Sequence, residues 1–187
     1  MTSSRSGQRG PAPDATERLT LRPAVAQDAL CISVLGMQVF LDTYATEGIR
    51  ESIAQAAVEM FTPKTVSALI ADSTVTIIVA QVAQHLVGFA QIAMNRDHPL
   101  IGCAEAAELQ RLYVQERFTG HGIGQQLLSQ AEHCARQMGA SRLWATVWVG
   151  NERALSFYPR QGYTHVGTPL YALQNETHAN YLFAKML

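Results

Sequence analysis

Cysteine is scarce in this chain of 187 residues: only Cys31, Cys103 and Cys134, odd in number and far apart. That excludes a disulfide framework and a close-spaced zinc motif. Cys31 and Cys134 each fall in a helical pattern and read as core or near-core thiols. Charge is sparse as well. Charged residues make up 16% and the net charge is -1, so no global field draws the chain to nucleic acid or to an anionic membrane. No apolar run is long enough to span a bilayer. The first residues, Met1 to Pro13, lack the apolar stretch of a secretion signal. His85, His98, His133, His165 and His178 form no metal-ligand grouping, and no metal is expected. By elimination the expected setting is reducing and cytoplasmic, with no nucleic-acid and no membrane partner.

What the chain does have is the makings of a core. Hydrophobic residues reach 48%, which favours one packed domain over disorder. Residues 1–17 read as a flexible tail and 18–187 as the domain. Leu19 to Arg22 alternates and stops at Pro23, an edge or first strand. Asp28 to Phe40 has helical spacing, with Leu30, Val34, Met37 and Leu41 near one face. A second helix is expected over Ile49 to Met60, with Ile53, Ala56, Ala57 and Met60 inward. Thr62-Pro63 is a cap followed by proline at the first helical position, which predicts a short helix to Ala71. Thr74 to Ala80 and Leu86 to Met94 read as an antiparallel pair, and Gly88 marks a bulge or a close backbone approach.

A strand over Ala107 to Val114 follows. Helical spacing runs from Gly122 to Met138, with Gly139 as its stop. Leu143 to Val149 is a strand apolar on both faces, as expected deep in a sheet. Ala107 to Val149 is therefore a strand–helix–strand crossover between parallel strands. Glu152 to Gln161 is helical in part, disturbed by Pro159 and stopped by Gly162. Tyr163 to Gly167 begins a return strand, Thr168 to His178 is a connection in which Leu170 to Leu173 could pack or pair briefly, and Asn180 to Met186 is the last strand. The expected fold is α/β of the α+β kind: a mixed, mostly antiparallel sheet flanked by helices.

Gly120, Gly122 and Gly124 stand at every second position just before the crossover helix. Glycines there let backbone approach a ligand and leave N–H groups aimed at an anion. The dinucleotide pattern Gly-x-Gly-x-x-Gly is not met, and the triphosphate loop would need Gly-Lys-Ser or Gly-Lys-Thr where this chain has Gly124-Gln125-Gln126. From the residues alone, a phosphate-bearing ligand and a structural tight turn both stay open.

Three segments in order resemble the GNAT superfamily of N-acetyltransferases. They are Leu112-Tyr113-Val114, then Thr119-Gly120-His121-Gly122-Ile123-Gly124-Gln125-Gln126-Leu127-Leu128, and Asn151-Glu152-Arg153-Ala154-Leu155-Ser156-Phe157-Tyr158 with Gly162-Tyr163. The resemblance extends from about Leu19 to the C-terminus. It implies acetyl-CoA as cosubstrate and a small-molecule or peptide amine as acceptor. The backbone from Gly120 to Gln125 would hold the pyrophosphate. Leu112, Tyr113 and Val114 would pair with the pantetheine and the thioester carbonyl, the amide of Val114 polarising it. Where the family usually has Arg or Gln, this chain has Thr119. Arg117 lies two residues earlier, out of register for a direct substitution. His121 stands in a variable slot, either touching a phosphate or simply exposed.

By the same resemblance Tyr158 is the general acid that protonates the leaving thiolate, or a tyrosine that only packs against CoA. Asn151 would touch the pantetheine arm, and Ala154 and Phe157 would pack beside it. For the base, Glu108 lies on the strand leading to the acetyl site; two-residue alternation would group it with Gln110, Leu112 and Val114. Glu108 would accept the amine proton through water or attract a cationic substrate. Glu105 is a second candidate at the mouth, and the alternative for either is a solvated or ion-paired carboxylate. The stretch from Phe40 to Tyr44 and the helix after it resemble acetyltransferases that include the bacterial spermidine/spermine enzymes. Asp42, Tyr44, Glu47 and Glu51 become candidates for binding a cationic amine. The alternatives to amine acetylation are transfer of a longer acyl group from its CoA ester and a non-enzymatic CoA-binding sensor. A homodimer stays open.

Overall fold

A computed structural model describes residues 19–173 and 176–187. The expected tail, residues 1–17, lies outside the described residues. The elements run β1 (Leu19–Pro23), α1 (Ala29–Tyr44), α2 (Glu51–Met60), α3 (Pro63–Ala71), β2 (Val75–Val82), β3 (His85–Ala93), β4 (Ala106–Val114), α4 (Ile123–Gln137), β5 (Arg142–Trp148), α5 (Glu152–Arg160), β6 (Thr164–Gly167), β7 (Leu170–Leu173) and β8 (Glu176–Met186). The strands form a sheet in the order β1-β2-β3-β4-β5-β8-β6, and β7 pairs with β8. The expected connection after Thr168 is thus partly a β7–β8 hairpin, with Leu170 opposite Ala179 and Tyr171 opposite His178. Cross-strand pairing overrode the polar composition of that stretch.

Local signals explain several boundaries. Thr62 accepts the Thr65 N–H at 2.9 Å and Pro63 opens α3, as the cap pattern predicts. At the end of α4, the Ala140 N–H donates to Ala135 O and the Gly139 N–H to Arg136 O. That pair of bonds is a Schellman stop. One side of the sheet is covered by α4, whose buried Ile123, Leu127, Leu128, Ala131 and Ala135 pack on Ala90, Ile92, Leu109, Leu143 and Ala145. Burying Leu127 and Leu128 is worth about 1.5–3 kcal/mol each. The other side is covered by α1, α2 and α3 over Ile77, Val79 and Phe89.

Helix α1 turns a different face inward from the expected one. Its buried residues are Ala29, Ile32, Ser33, Leu35, Gly36 and Phe40, while Leu30 and Val34 are exposed. The helix is apolar nearly all round, so periodicity cannot choose a face. Close approach can: a Cβ on Gly36 would lie 2.5 Å from the Phe61 ring. Cys31 sits on the outer face and is exposed, and Cys134 is half-buried, so Cys31 is not the core thiol expected.

Two bulges shape the sheet. Ala80 pairs with Gly88 and Gln81 with Leu86, which leaves Val87 extra. A Cβ on Gly88 would sit 2.7 Å from Tyr113 O, so the expected bulge and close approach coincide. On β4, Leu109 pairs with Ile92 and Arg111 with Gln91, which leaves Gln110 extra. A bulge shifts the alternation by one residue. Glu108 therefore shares a face with Arg111 and Tyr113, not with Leu112 and Val114 as strict alternation had it.

Candidate active site

The central junction of the sheet comes apart. Strands β4 and β5 run parallel but pair only at Ala106–Arg142, Ala107–Leu143 and Glu108–Trp144. Beyond Glu108 β4 continues for six more residues, so the notch between the strands is about 20 Å deep at the usual rise per residue. A cavity of about 850 Å³ opens there. Leu112, Tyr113 and Val114 form one wall, and Gly150, Asn151, Ala154, Phe157 and Tyr158 the other. Thr119, Gly120, Gly122, Gly124 and Gln125 close one end, and Asp42, Thr43 and Tyr44 from the last turn of α1 stand at another side.

At the glycine end, Gly120 and Gly122 have φ of 78° and 76°, a left-handed conformation that glycine adopts without penalty. A Cβ on either would meet nothing within 4 Å, so their backbone shape, not crowding, requires glycine. The first bond into α4 is Gln126 N–H to Gly122 O. The amides of Ile123, Gly124 and Gln125 consequently have no carbonyl within the helix to pair with. With the positive end of the helix dipole behind them, they fit an anion such as a diphosphate. The Ile123 side chain is buried in the core, so only its backbone can serve there. His121 is exposed, its Nδ1 2.9 Å from Thr119 O, and its ring is not part of the cavity wall. The Thr119 hydroxyl donates to Glu116 O at 2.8 Å. Arg117 lies over the Phe118 ring, beside a separate groove between α1 and the β2–β3 turn.

Tyr158 is held by aromatic packing. Its ring stacks on Phe183, with centroids 5.6 Å apart and planes at 16°, and meets Phe157 and Tyr163 edge-on. Burial, and secondarily Tyr44, push its hydroxyl above the ordinary value of 10.0, so it stays protonated at neutral pH. Asn151 caps α5: its Oδ1 accepts the Ala154 N–H at 3.1 Å. That leaves the amide NH2 of Asn151 as the group able to address a ligand.

Across the sheet, on the α1–α3 side, Glu108 belongs to a polar chain. The Gln110 Nε2 donates to Glu108 at 3.1 Å, the Gln91 Nε2 donates to Gln110 at 2.6 Å, and Arg111 donates to Gln91 at 2.7 Å. Arg111 also lies 5.1 Å above the Phe61 ring. Tyr44 packs against Phe40 and Trp148, and burial raises its hydroxyl above the ordinary value.

Glu105 does not belong here. It precedes β4 at the end away from Val114, roughly 25–30 Å off along a nine-residue strand, and takes a weak contact from Cys103. Glu47 and Glu51 are exposed and outside the cavity wall. Glu116, Arg153 and Arg160 do line the cavity, and the motif pattern had assigned them nothing. Arg153 and Glu116 form a two-pronged ion pair at 2.5 and 2.8 Å. Partners 37 residues apart leave no periodic trace. Among the described residues no cluster of His, Cys, Asp and Glu could hold a metal, and no helix is long and apolar enough to cross a membrane.

A splayed parallel junction with a glycine-rich helix entrance at its mouth defines an α/β domain built to take an anionic ligand into its sheet. The family model of the Acetyltransferase (GNAT) family matches residues 46–163, and the chain belongs to that family. Over 80 residues it is 34% identical to an uncharacterized N-acetyltransferase in the pepI 3′ region of Lactobacillus delbrueckii subsp. lactis. The match covers 43% of this chain and 46% of that protein. Among solved structures, the PaiA N-acetyltransferase of Thermoplasma acidophilum in complex with coenzyme A superposes with a TM-score of 0.72 at 21% identity, over 91% of this chain and 99% of that one. YncA of Salmonella typhimurium with its cofactor acetyl-CoA gives 0.66 at 18% identity, over 91% and 94%. The ribosomal-protein-alanine N-acetyltransferase of Brucella melitensis gives 0.65 at 21% identity, over 90% and 99%. At such identities the likeness carries the fold.

Proposed function

We propose that this protein transfers an acetyl group from acetyl-CoA to a primary amine by direct attack in a ternary complex. The observation that carries the reading is the notch itself. It opens between β4 and β5 beyond Glu108, has the unpaired amides of α4 at one end, and has Tyr158 in its wall. Acetyl-CoA supplies the activated thioester. The Ile123, Gly124 and Gln125 amides hold its diphosphate, and the free edge of β4 at Leu112 to Val114 aligns the pantetheine arm.

The two sides of the sheet divide the labour. Tyr158 packs with the residues on the α4 side, whereas the bulge at Gln110 turns Glu108 to the α1–α3 side. The donor thus enters from one face and the amine from the other, and they meet in the gap. Glu108 lies outside the cavity wall, at the last β4–β5 pair, so it takes the proton of the attacking amine through a chain of waters rather than directly. The amine nitrogen bonds to the carbonyl carbon, the carbon–sulfur bond breaks, and the sulfur receives the Tyr158 proton. A backbone amide on the free edge of β4, from Leu112 onward, polarises the carbonyl oxygen. Asp42 and Tyr44, on the α1 side of the cavity, favour a cationic acceptor, which supports a polyamine such as spermidine or spermine.

The test follows free thiol released from acetyl-CoA by the purified protein across a panel of polyamines, small amines and peptide N-termini. Turnover with one or more of them is expected. Tight acetyl-CoA binding with no thiol released by any acceptor would refute the transferase reading in favour of a CoA-binding sensor.

A further inference from the structure

We propose that Arg153 is the phosphate-binding cation of this site, stored on Glu116 in the free protein and exchanged from that carboxylate onto the diphosphate of CoA on binding. The inference rests on the CoA-binding part of the function proposed above. Its starting point is a shortage: at the glycine-rich entrance the chain has no side-chain cation of its own. Thr119 spends its hydroxyl on Glu116 O, and Arg117 turns to Phe118 and a different groove. Amide dipoles alone then face a doubly charged diphosphate.

Arg153 approaches from the opposite wall. It lies in the first turn of α5, while Glu116 lies in the short 3-10 turn Glu116–Phe118 just before the glycines. Both line the cavity, so the ion pair at 2.5 Å spans its mouth. Arg160, another cation in that wall, is tied to its own helix through Ser156 O and Oγ. The Arg153 fork is instead bound to a single carboxylate, with side-chain exposure of 63% and 64% for the two partners. An ion pair that wet is weak and easily exchanged. The planar guanidinium that grips two carboxylate oxygens grips two phosphate oxygens equally well. Glu116 therefore has two effects. It holds Arg153 at the mouth before the ligand arrives, and its charge opposes the diphosphate once Arg153 has moved.

The experiment is calorimetric titration of the intact protein with CoA and with dephospho-CoA, which lacks the 3′-phosphate. Wild type is compared with Arg153→Gln and Glu116→Gln, and unfolding midpoints confirm that each variant is folded. Losing the charge-assisted bonds should raise the Kd for CoA about tenfold in R153Q and flatten its salt dependence. E116Q should lower the Kd about two- to fivefold, because both the competitor and the repulsion are gone. The R153Q penalty should persist with dephospho-CoA. A wild-type Kd in R153Q overturns the proposal. So does E116Q weakening CoA as R153Q does, which would make the pair a fixed strap, and so does a penalty that vanishes with dephospho-CoA, which would move Arg153 to the 3′-phosphate. Wild-type protein that binds no CoA at all would instead overturn the proposed function.

Discussion

Replacing Tyr158 by Phe removes one oxygen and little else. The phenyl ring keeps its stack on Phe183 and its edge contacts with Phe157 and Tyr163, so stability should change by no more than about 1 kcal/mol. What is lost is the proton for the departing sulfur. General acid catalysis is commonly worth about 10²–10⁴ in rate. A fall in kcat of roughly 100-fold is expected, equivalent to about 2.7 kcal/mol on the barrier. The KM for acetyl-CoA should stay within about threefold, because the hydroxyl acts where negative charge develops and not on the bound ground state. Steady-state thiol release with the best acceptor measures both. The pH profile adds an independent check. Burial raises the Tyr158 hydroxyl, so this acid remains protonated from about pH 7 to 9 and wild-type kcat should show no falling limb from it there. A Y158F protein within about twofold of wild-type kcat would refute the general-acid assignment. A limb in that range that disappears in Y158F would refute the raised hydroxyl.

Three further outcomes follow from the same geometry. Burial also raises the hydroxyls of Tyr113 and Tyr163; groups raised in the folded state stabilise it fully below the unfolded value near 10 and lose that contribution as pH climbs towards the folded values, so urea unfolding should weaken above about pH 10 by up to about 1.4 kcal/mol per pH unit for each tyrosine. Gly122→Ala forces a side chain onto a φ of 76°, which should cost about 1–2 kcal/mol and weaken CoA binding, read by thermal unfolding and titration. Asp28 accepts two Arg22 N–H bonds at 2.6 and 2.9 Å and the Val25 amide at 2.8 Å. Those bonds hold its carboxyl below 3.8. Asp28→Asn should cost about 1.5–3 kcal/mol at neutral pH, and the gap from wild type should close as pH falls from the ordinary carboxylate range through the lowered folded value.

Much of this architecture is written in short-range signals. The Thr62-Pro63 cap, the Gly139 stop and the helical period of α4 act within four or five residues, so they can be read without a partner. The glycines before α4 and the Asn151 to Tyr158 segment are equally local, and they identify the family. Four features are not local. The inward face of α1 depended on Gly36 meeting Phe61, because an all-apolar helix has no preferred side. The face of Glu108 depended on a bulge at Gln110, which exists only in register with β3 and reverses the alternation one residue later. Glu105 had the right chemistry but stands at the far end of its strand. Arg153 and Glu116 look like ordinary surface charges until the splay of β4 from β5 brings their helix and turn face to face. By itself, then, the sequence determined most of the elements, the Thr62 cap, the Gly139 stop and the glycine-rich entrance to α4, since neighbours along the chain set backbone conformation, whereas β7 formed by pairing with β8. That Glu116, Arg153 and Arg160 join the notch, and which face Glu108 takes, was decided by tertiary structure, because sheet register and helix packing join residues that carry no mark of one another.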